Sequence, residues 1–266
     1  MSPSHDPSTS AGHRLAAIST FLIDLDGVVY AGNTALPGAS EFFQLLAGTG
    51  RGFQCITNNS TLTAAQFVDK LAGMGIHVTH DHVLTSPQAT CVYLAERFGV
   101  GARVFAIGEE GLVRALLGAG FRLVDARADV VVCGLDRRLT YDRLMRACFA
   151  IRGGAPLVAT NPDLSLPSER GFLPGNGATL AYLRAATGVE PVVIGKPEAT
   201  MLEIAMARTG ASPHETAIIG DGLLTDILAG ERAGVTKILL LTGVATQDDV
   251  AGAPAQPDFV FDDLPT

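Results

Sequence analysis

Short apolar runs alternate with helical patterns along almost the whole chain, and this alternation limits the possible folds more than any other feature. Apolar runs of this length are typical of strands buried in a parallel sheet. The sequence predicts strands at Thr20–Ile23, Gly52–Thr57, Arg103–Ile107, Val130–Cys133, Pro156–Thr160, Pro191–Ile194, Thr216–Ile219 and Lys237–Leu241. It predicts helices at Ala39–Leu46, Thr63–Met74, Pro87–Arg97, Gly111–Ala119, Thr140–Ile151, Gly177–Thr187, Ala199–Thr209 and Thr225–Ala233. Strands and helices in this order predict right-handed βαβ units and an α/β fold.

Glycines just beyond several predicted helices indicate where those helices end, because glycine takes the left-handed conformation of a helix C-cap without steric cost. They are Gly48, Gly99, Gly188 and Gly210. The predicted strands are more numerous than one compact sheet of this type needs. We therefore predict a core domain at 15–85 and 187–266, an inserted α/β domain at 86–186, and a disordered tail at 1–14.

Composition and charge exclude several classes of protein. Of the 266 residues, 47% are hydrophobic, which is enough for a large core and excludes disorder over most of the chain. The net charge of −8 argues against a nucleic-acid polymer or a membrane surface as a partner. The beginning of the chain lacks the pattern of a signal peptide, and the four cysteines are far apart, as expected of buried free thiols. These features predict a cytoplasmic protein.

Polar residues suited to phosphate chemistry directly follow several predicted strands. They are Asp24 and Asp26, the run Thr57-Asn58-Asn59-Ser60, Lys196, and Asp221 with Thr225 and Asp226. The carboxyl ends of parallel strands meet at one edge of a sheet, where ligands of open α/β sheets bind. We therefore expect these residues to share one site at such an edge.

The residue types in this set fit the transfer of a phosphoryl group. A carboxylate can attack phosphorus and form an acyl-phosphate, and a second carboxyl group can protonate the leaving oxygen. Crowded carboxylates beside an anionic substrate need a cation, and Mg²⁺ prefers such hard oxygen ligands. Lys196 adds a positive charge, and the Thr57 hydroxyl can hold a phosphate oxygen.

The residues of these motifs, and the order of the motifs along the chain, resemble those of a known family. The motifs are Asp24-Leu25-Asp26-Gly27-Val28-Val29-Tyr30, Thr57-Asn58-Asn59-Ser60, Gly195-Lys196-Pro197, Gly220-Asp221-Gly222-Leu223-Leu224-Thr225-Asp226-Ile227, Asn161-Pro162-Asp163 and Gly171-Phe172-Leu173-Pro174-Gly175-Asn176-Gly177. Together they resemble the haloacid dehalogenase-like hydrolase superfamily, in its branch of N-acetylglucosamine-operon phosphatases and 4-nitrophenylphosphatases. The resemblance implies a Rossmann-like parallel-sheet core domain with an inserted α/β cap domain.

The resemblance also implies a role for each acidic residue of the core. Asp24 would be the nucleophile, and Asp26 would be the general acid and base. The ligands of Mg²⁺ would be Asp24, the backbone carbonyl of Asp26, and Asp221. Asp226 would hold these ligands in place without itself binding the metal.

The remaining motif residues would bind the substrate. The resemblance implies that Thr57, Asn58, Asn59 and Lys196 hold the transferring phosphoryl group. Asp163 would contact the substrate from the cap; the alternative is that Asn161-Pro162-Asp163 forms a plain turn.

The predicted function is that of a Mg²⁺-dependent phosphatase, which hydrolyses a small phosphorylated metabolite through an aspartyl-phosphate. The first alternative is a phosphotransferase or phosphomutase that passes the same phosphoryl group to an alcohol. The second is a metabolite-binding protein without catalysis. The sequence leaves the identity of the metabolite open, and it leaves open whether the chain forms a homodimer.

Overall fold

A computed structural model describes residues 12, 14–168 and 171–264 of the chain. Except for positions 12 and 14, the tail predicted at 1–14 lies outside the described residues. The chain divides into two compact units, which we call the first unit (1–55 with 205–266) and the second unit (56–204). In the sequence, the second unit is inserted between the two segments of the first. The domain bounds given above remain a prediction.

The described residues form a series of short strands and helices. The strands are β1 (Thr20–Asp24), β2 (Tyr30–Ala31), β3 (Thr34–Ala35), β4 (Gly52–Thr57), β5 (Val83–Thr85), β6 (Arg103–Ile107), β7 (Arg122–Leu123), β8 (Val130–Cys133), β9 (Leu157–Ala159), β10 (Ser165–Ser168), β11 (Gly171–Pro174), β12 (Val192–Val193), β13 (Thr216–Gly220), β14 (Thr236–Leu240) and β15 (Phe259–Phe261). The α-helices include α1 (Ala39–Thr49), α2 (Ala64–Ala72), α3 (Ser86–Phe98), α4 (Glu110–Gly118), α5 (Tyr141–Arg152), α6 (Asn176–Thr187), α7 (Thr200–Thr209), α8 (Leu228–Ala233) and α9 (Gln247–Val250).

The first unit is built on a parallel sheet. Its strands run in the order β15-β14-β13-β1, and β4 lies beside β1 on the other side. Thr20 of β1 pairs with Thr216 of β13, and Ile23 pairs with Ile219. Every residue of β1 and of β13 is buried, which explains why both strands are nearly continuous apolar runs.

The second unit contains its own parallel sheet, in the order β12-β9-β8-β6-β7. One side of it packs on α5 and α6 through a core that includes Phe105, Val131, Leu157, Leu180 and Leu183. Strands β10 and β11 form a separate antiparallel hairpin. Both units therefore confirm the predicted α/β class, with parallel sheets and helices in alternation.

The structure corrects one helix end and adds elements that the sequence did not predict. Gly48 lies inside α1, and the C-cap is Gly50, whose φ of 68° is left-handed. The first three residues of the helix predicted at Thr225–Ala233 belong instead to a π-helical turn, Leu223–Ile227, and α8 begins only at Leu228. The hairpin β10–β11 was also not predicted. Within the described part of the chain, no helix has the length and apolar character needed to cross a membrane.

Candidate active site

A tight turn follows the two aspartates of the first motif at the carboxyl end of β1. Asp24 ends β1 and is buried, whereas Asp26 is exposed. Between them and β2, Gly27 has a φ of 82°, and its N–H donates to the Tyr30 carbonyl at 2.8 Å. A left-handed φ favours glycine, so this turn explains the glycine of the motif.

Tyr30 fixes the side chain of Asp26. The tyrosine is fully buried, and its hydroxyl donates to Oδ2 of Asp26 at 3.1 Å. Burial, and then the negative charge of Asp26, raise the pKa of the Tyr30 phenol far above its ordinary value. The phenol therefore stays protonated and remains a donor to Asp26. Tyr30 is the last residue of the first sequence motif, but no role was predicted for it.

Asp221 follows β13 and is 5% exposed. Its Oδ2 accepts a hydrogen bond from the Val244 N–H at 2.8 Å. Two glycines approach this carboxylate so closely that a Cβ at Gly27 would lie 2.2 Å from Oδ2, and a Cβ at Gly243 would lie 1.8 Å from it. The carboxylate thus occupies space that any other residue at either position would fill.

Asp226 lies in the π-helical turn and is 1% exposed. Its Oδ2 accepts from the Gly222 N–H at 3.1 Å and from the Thr225 hydroxyl at 3.0 Å. Gly220 is again required by space, because its Cβ would lie 2.1 Å from the Asp226 Cβ. The end of β13 and the turn after it therefore hold this side chain from several directions.

These residues form an acidic cluster in the first unit, made of Asp24, Asp221 and Asp226. Each offers one carboxylate oxygen, and these oxygens lie within 4.8 Å of one another. Three buried carboxylates at this spacing are a donor set of hard oxygens, which fits Mg²⁺ or Ca²⁺ better than a softer metal. The structure thus brings together Asp24 and Asp221, and adds Asp226. The Asp26 side chain turns to Tyr30 and is not part of this cluster.

The second unit carries the motif that begins at Thr57. Thr57 ends β4 and is 2% exposed, and its Oγ1 accepts from the Asn59 N–H at 3.1 Å. Oδ1 of Asn59 accepts from the Thr61 N–H at 2.9 Å and from the Thr61 hydroxyl at 2.8 Å. Local hydrogen bonds of this kind order the loop that follows β4.

Asn58 joins parts of the second unit that are distant in the sequence. Its Nδ2 donates to both carboxylate oxygens of Asp163, each at 3.2 Å, and to the Lys196 carbonyl at 2.9 Å. Its Oδ1 accepts from the Lys196 N–H at 2.9 Å. Lys196 is 2% exposed. The structure therefore places Asn58, Asp163 and the Lys196 backbone together, as residues of one predicted site should be.

Two further asparagines, which the sequence analysis did not select as site residues, continue this network. Nδ2 of Asn161 donates to the Asn58 carbonyl at 2.8 Å, and Nδ2 of Asn176 donates to the Asn161 carbonyl at 2.7 Å. Asn161 is 4% exposed and Asn176 is 1% exposed. We call Asn176, Asn161 and Asn58 the asparagine relay. Asn161 and Asn176 each lie in a sequence motif of the resemblance, which was the available signal.

Comparisons with known proteins agree with these motifs. Residues 21–122 match the family model described as haloacid dehalogenase-like hydrolase, and residues 193–266 match one described as HAD-hydrolase-like. The chain is 40% identical over 244 residues to the 5'-nucleotidase YutF of Bacillus subtilis, a match that covers 92% of this chain and 95% of that protein.

Solved structures give the same result. A 4-nitrophenylphosphatase from Thermotoga maritima is similar with a TM-score of 0.91 and 38% identity, over 95% of this chain and 97% of that one. A glycerol phosphate phosphatase from Mycobacterium tuberculosis, solved in complex with calcium, is similar with a TM-score of 0.87 and 36% identity. That match covers 94% of this chain and 75% of the other.

Proposed function

This chain belongs to the haloacid dehalogenase-like hydrolase family, and we propose that it is a Mg²⁺-dependent phosphatase of small phosphorylated metabolites. The acidic cluster carries the proposal, because three buried carboxylates within 4.8 Å suit a divalent cation. Such a cation also binds the oxygens of a phosphate ester. The relatives are named for a nucleotide, an aryl phosphate and glycerol phosphate. A phosphomonoester is the group that these substrates share.

In the proposed reaction, a carboxylate oxygen of Asp24 attacks phosphorus, and the bond between phosphorus and the leaving oxygen breaks. Asp26 donates its proton to that oxygen, which leaves as an alcohol. Asp26 then accepts a proton from the water that attacks the phosphorus of the aspartyl-phosphate, and this step releases phosphate and restores Asp24. The Tyr30 hydroxyl supports Asp26 in both steps by holding one of its oxygens.

Asp24 and Asp221 would hold the divalent ion, with the Asp26 carbonyl as a further ligand; Asp226, predicted as a support of these ligands, lies close enough to be a ligand as well. When bound, the ion supplies positive charge that offsets the carboxylates and the phosphoryl oxygens. The backbone N–H of Val244 and the Gly222 N–H keep the ligand side chains oriented.

The phosphate-binding roles of Thr57, Asn59 and Lys196 are part of this proposal, and Asn58 and Asp163, which contact each other, belong to the same substrate-binding set. Their support is the resemblance, together with the hydrogen bonds that bring Asn58, Asp163 and the Lys196 backbone together. A cytoplasmic location and the absence of nucleic-acid and membrane partners remain predictions of the sequence, which leaves the formation of a homodimer open.

Hydrolysis of 4-nitrophenyl phosphate by the purified chain, with Mg²⁺ and then with EDTA, tests the proposal. We expect activity that requires the metal, and we expect Asp24→Asn to lower kcat by about 10³-fold or more because the nucleophile is lost. Asp248→Asn, at an exposed aspartate of α9, is the matched control and should keep full activity.

The amount of free phosphate should also be compared with the amount of phosphoryl group transferred to an added alcohol. Nucleoside monophosphates, glycerol phosphate and sugar phosphates are the substrates for this comparison. Hydrolysis predicts free phosphate as the main product. Full activity of Asp24→Asn would show that another group is the nucleophile, and transfer to the alcohol would replace the phosphatase by a phosphotransferase.

A further inference from the structure

The side chain of Asn58 has used its hydrogen-bonding capacity within the protein. An amide nitrogen has two hydrogens; here one faces the Asp163 carboxylate and the other the Lys196 carbonyl. The amide oxygen faces the Lys196 N–H. Only this orientation of the amide places donors against acceptors at every contact. The side chain therefore has no N–H left to donate to a phosphate oxygen.

Asn58 instead grips the backbone of Lys196 on both sides, at its N–H and at its carbonyl. This matters because lysine has a long and flexible stem, so the place of its charge depends on where its backbone is fixed. The backbone of Asn58 is itself held, since its carbonyl accepts from Nδ2 of Asn161 and from the Ser86 hydroxyl, each at 2.8 Å.

The asparagine relay extends this support into the second sheet. Each amide nitrogen donates to the backbone carbonyl of the next member, from Asn176 to Asn161 to Asn58, and Asn58 donates to the Lys196 carbonyl. Asn176 also donates to the carbonyl of Cys133, the last residue of β8. The relay therefore runs from a central strand of that sheet to the Lys196 backbone through two buried amides, Asn176 and Asn161, and the half-buried amide of Asn58.

We propose that Asn58, supported by Asn161 and Asn176, is a positioning residue that acts through Lys196 and does not bind phosphate with its side chain. This inference rests on the proposed function, in which the Lys196 charge holds the phosphoryl group. Asp163 has a related part, because its carboxylate accepts from Asn58 and keeps the amide in the orientation that Lys196 needs.

A double-mutant cycle between Asn58 and Lys196 tests the proposal. Lys196→Ala removes the charge but keeps the backbone N–H and carbonyl that Asn58 contacts. In the otherwise unchanged protein, we expect Asn58→Ala to lower kcat for 4-nitrophenyl phosphate by about 10- to 100-fold, through misplacement of the charge. In the Lys196→Ala background, the same change should cost less than about 3-fold, since the group it positions is gone.

The affinity for inorganic phosphate in the presence of Mg²⁺ gives a second readout that needs no turnover. Asn58→Ala should weaken phosphate binding when Lys196 is present and leave it nearly unchanged in the Lys196→Ala background. Gln44→Ala, which removes an exposed amide from α1, is the control and should change neither kcat nor phosphate affinity. Thermal unfolding of each variant reports whether the fold persists.

An exchange of the two partners tests the part assigned to Asp163. Asn58→Asp sets two carboxylates face to face and should lower kcat, and Asp163→Asn in the same chain restores a donor between positions 58 and 163. We expect the double variant to recover at least about 3-fold in kcat over Asn58→Asp alone. No recovery would remove Asp163 from the proposal.

Equal fold losses from Asn58→Ala in both backgrounds would overturn the positioning role, because a direct phosphate contact or a purely structural role gives effects that multiply. A wild-type chain that releases no phosphate from any ester would instead refute the proposed function. The two failures are therefore distinguishable.

Discussion

The acidic cluster of the first unit and the asparagine relay of the second unit are held in place by opposite means. In the cluster, backbone N–H groups and close glycines fix the carboxylates, and Gly27 and Gly243 leave the space that Asp221 occupies. In the relay, side-chain amides fix backbone carbonyls. The cluster should therefore be sensitive to an added atom, and the relay to a lost donor. The acidic cluster positions carboxylate side chains, whereas the asparagine relay positions a segment of backbone.

The largest effect that separates the two arrangements is expected from Gly243→Ala. The new Cβ would lie 1.8 Å from Oδ2 of Asp221, so the carboxylate must move. We expect the Mg²⁺ concentration for half-maximal activity to rise by about 10- to 100-fold. This is the usual effect of changing a residue that contacts and orients a metal ligand. A titration of 4-nitrophenyl phosphate hydrolysis with Mg²⁺ measures this.

Gly252→Ala is the control in the same unit, because a Cβ there meets no atom within 4 Å. It should leave the Mg²⁺ titration as it is. A Gly243→Ala variant with the same Mg²⁺ requirement as the wild type would show that the position of Asp221 does not govern metal binding.

A smaller and different effect is expected from Gly195→Ala in the second unit. Its Cβ would lie 2.5 Å from Oδ1 of Asn58 and 2.4 Å from the Thr160 carbonyl, so the contact of Asn58 with Lys196 must shift. We expect kcat to fall by about 10-fold while the Mg²⁺ requirement stays unchanged. Gly118→Ala in α4, where a Cβ meets nothing within 4 Å, is the control. A changed Mg²⁺ requirement in Gly195→Ala would contradict the separate roles of the acidic cluster and the asparagine relay.

The smallest effect concerns a carboxylate of the second unit that is held by an ion pair. Hydrogen bonds from the Arg103 guanidinium and N–H lower the pKa of Asp129 to about 2. A pKa lowered in the folded state stabilises the fold above the ordinary pKa of the group, and this stabilisation is lost as the pH falls toward 2. Between about pH 4 and pH 2, the free energy of unfolding should fall less steeply in Asp129→Asn than in the wild type.

Denaturant unfolding at several pH values measures this slope, and the effect should be small because the pair is partly exposed. Asp248→Asn serves again as the control and should follow the wild-type slope. Identical slopes for Asp129→Asn and the wild type would mean that the ion pair adds nothing in acid.

The strands were the most predictable part of the fold. β4, β6 and β8 have the predicted bounds, because most of their residues are buried and apolar. The hairpin β10–β11 was missed, since Ser165–Ser168 contains a proline and no apolar run, which are features typical of a loop. Gly48 was misread because glycine is tolerated inside a helix, and the sequence does not show which glycine takes the left-handed conformation.

For the site, the sequence identified the acidic residues of the cluster better than the contacts that hold site residues in place. Asp24 and Asp221 meet because both follow strands of one parallel sheet, a rule that can be applied to a sequence. The contacts of Asn58 with Asp163 and Lys196 span more than a hundred positions and depend on how the strands of the second unit pack. The close approach of Gly243 to Asp221 likewise follows from tertiary structure alone.

The wide turn at Leu223–Ile227 makes the length of this stretch as important as its composition. The Ile227 N–H donates to the Gly222 carbonyl at 3.1 Å, which is the i+5 pattern of a π-helix and takes in one residue more than an α-helical turn. Deleting a residue here would close the wide turn to an α-helical one, and we expect the carboxylate of Asp226 to lose the contacts with the Gly222 N–H and the Thr225 hydroxyl that hold it. In a genome survey, a shortened interval between Asp221 and Asp226 would thus mark a divergent paralogue even where every motif letter survives.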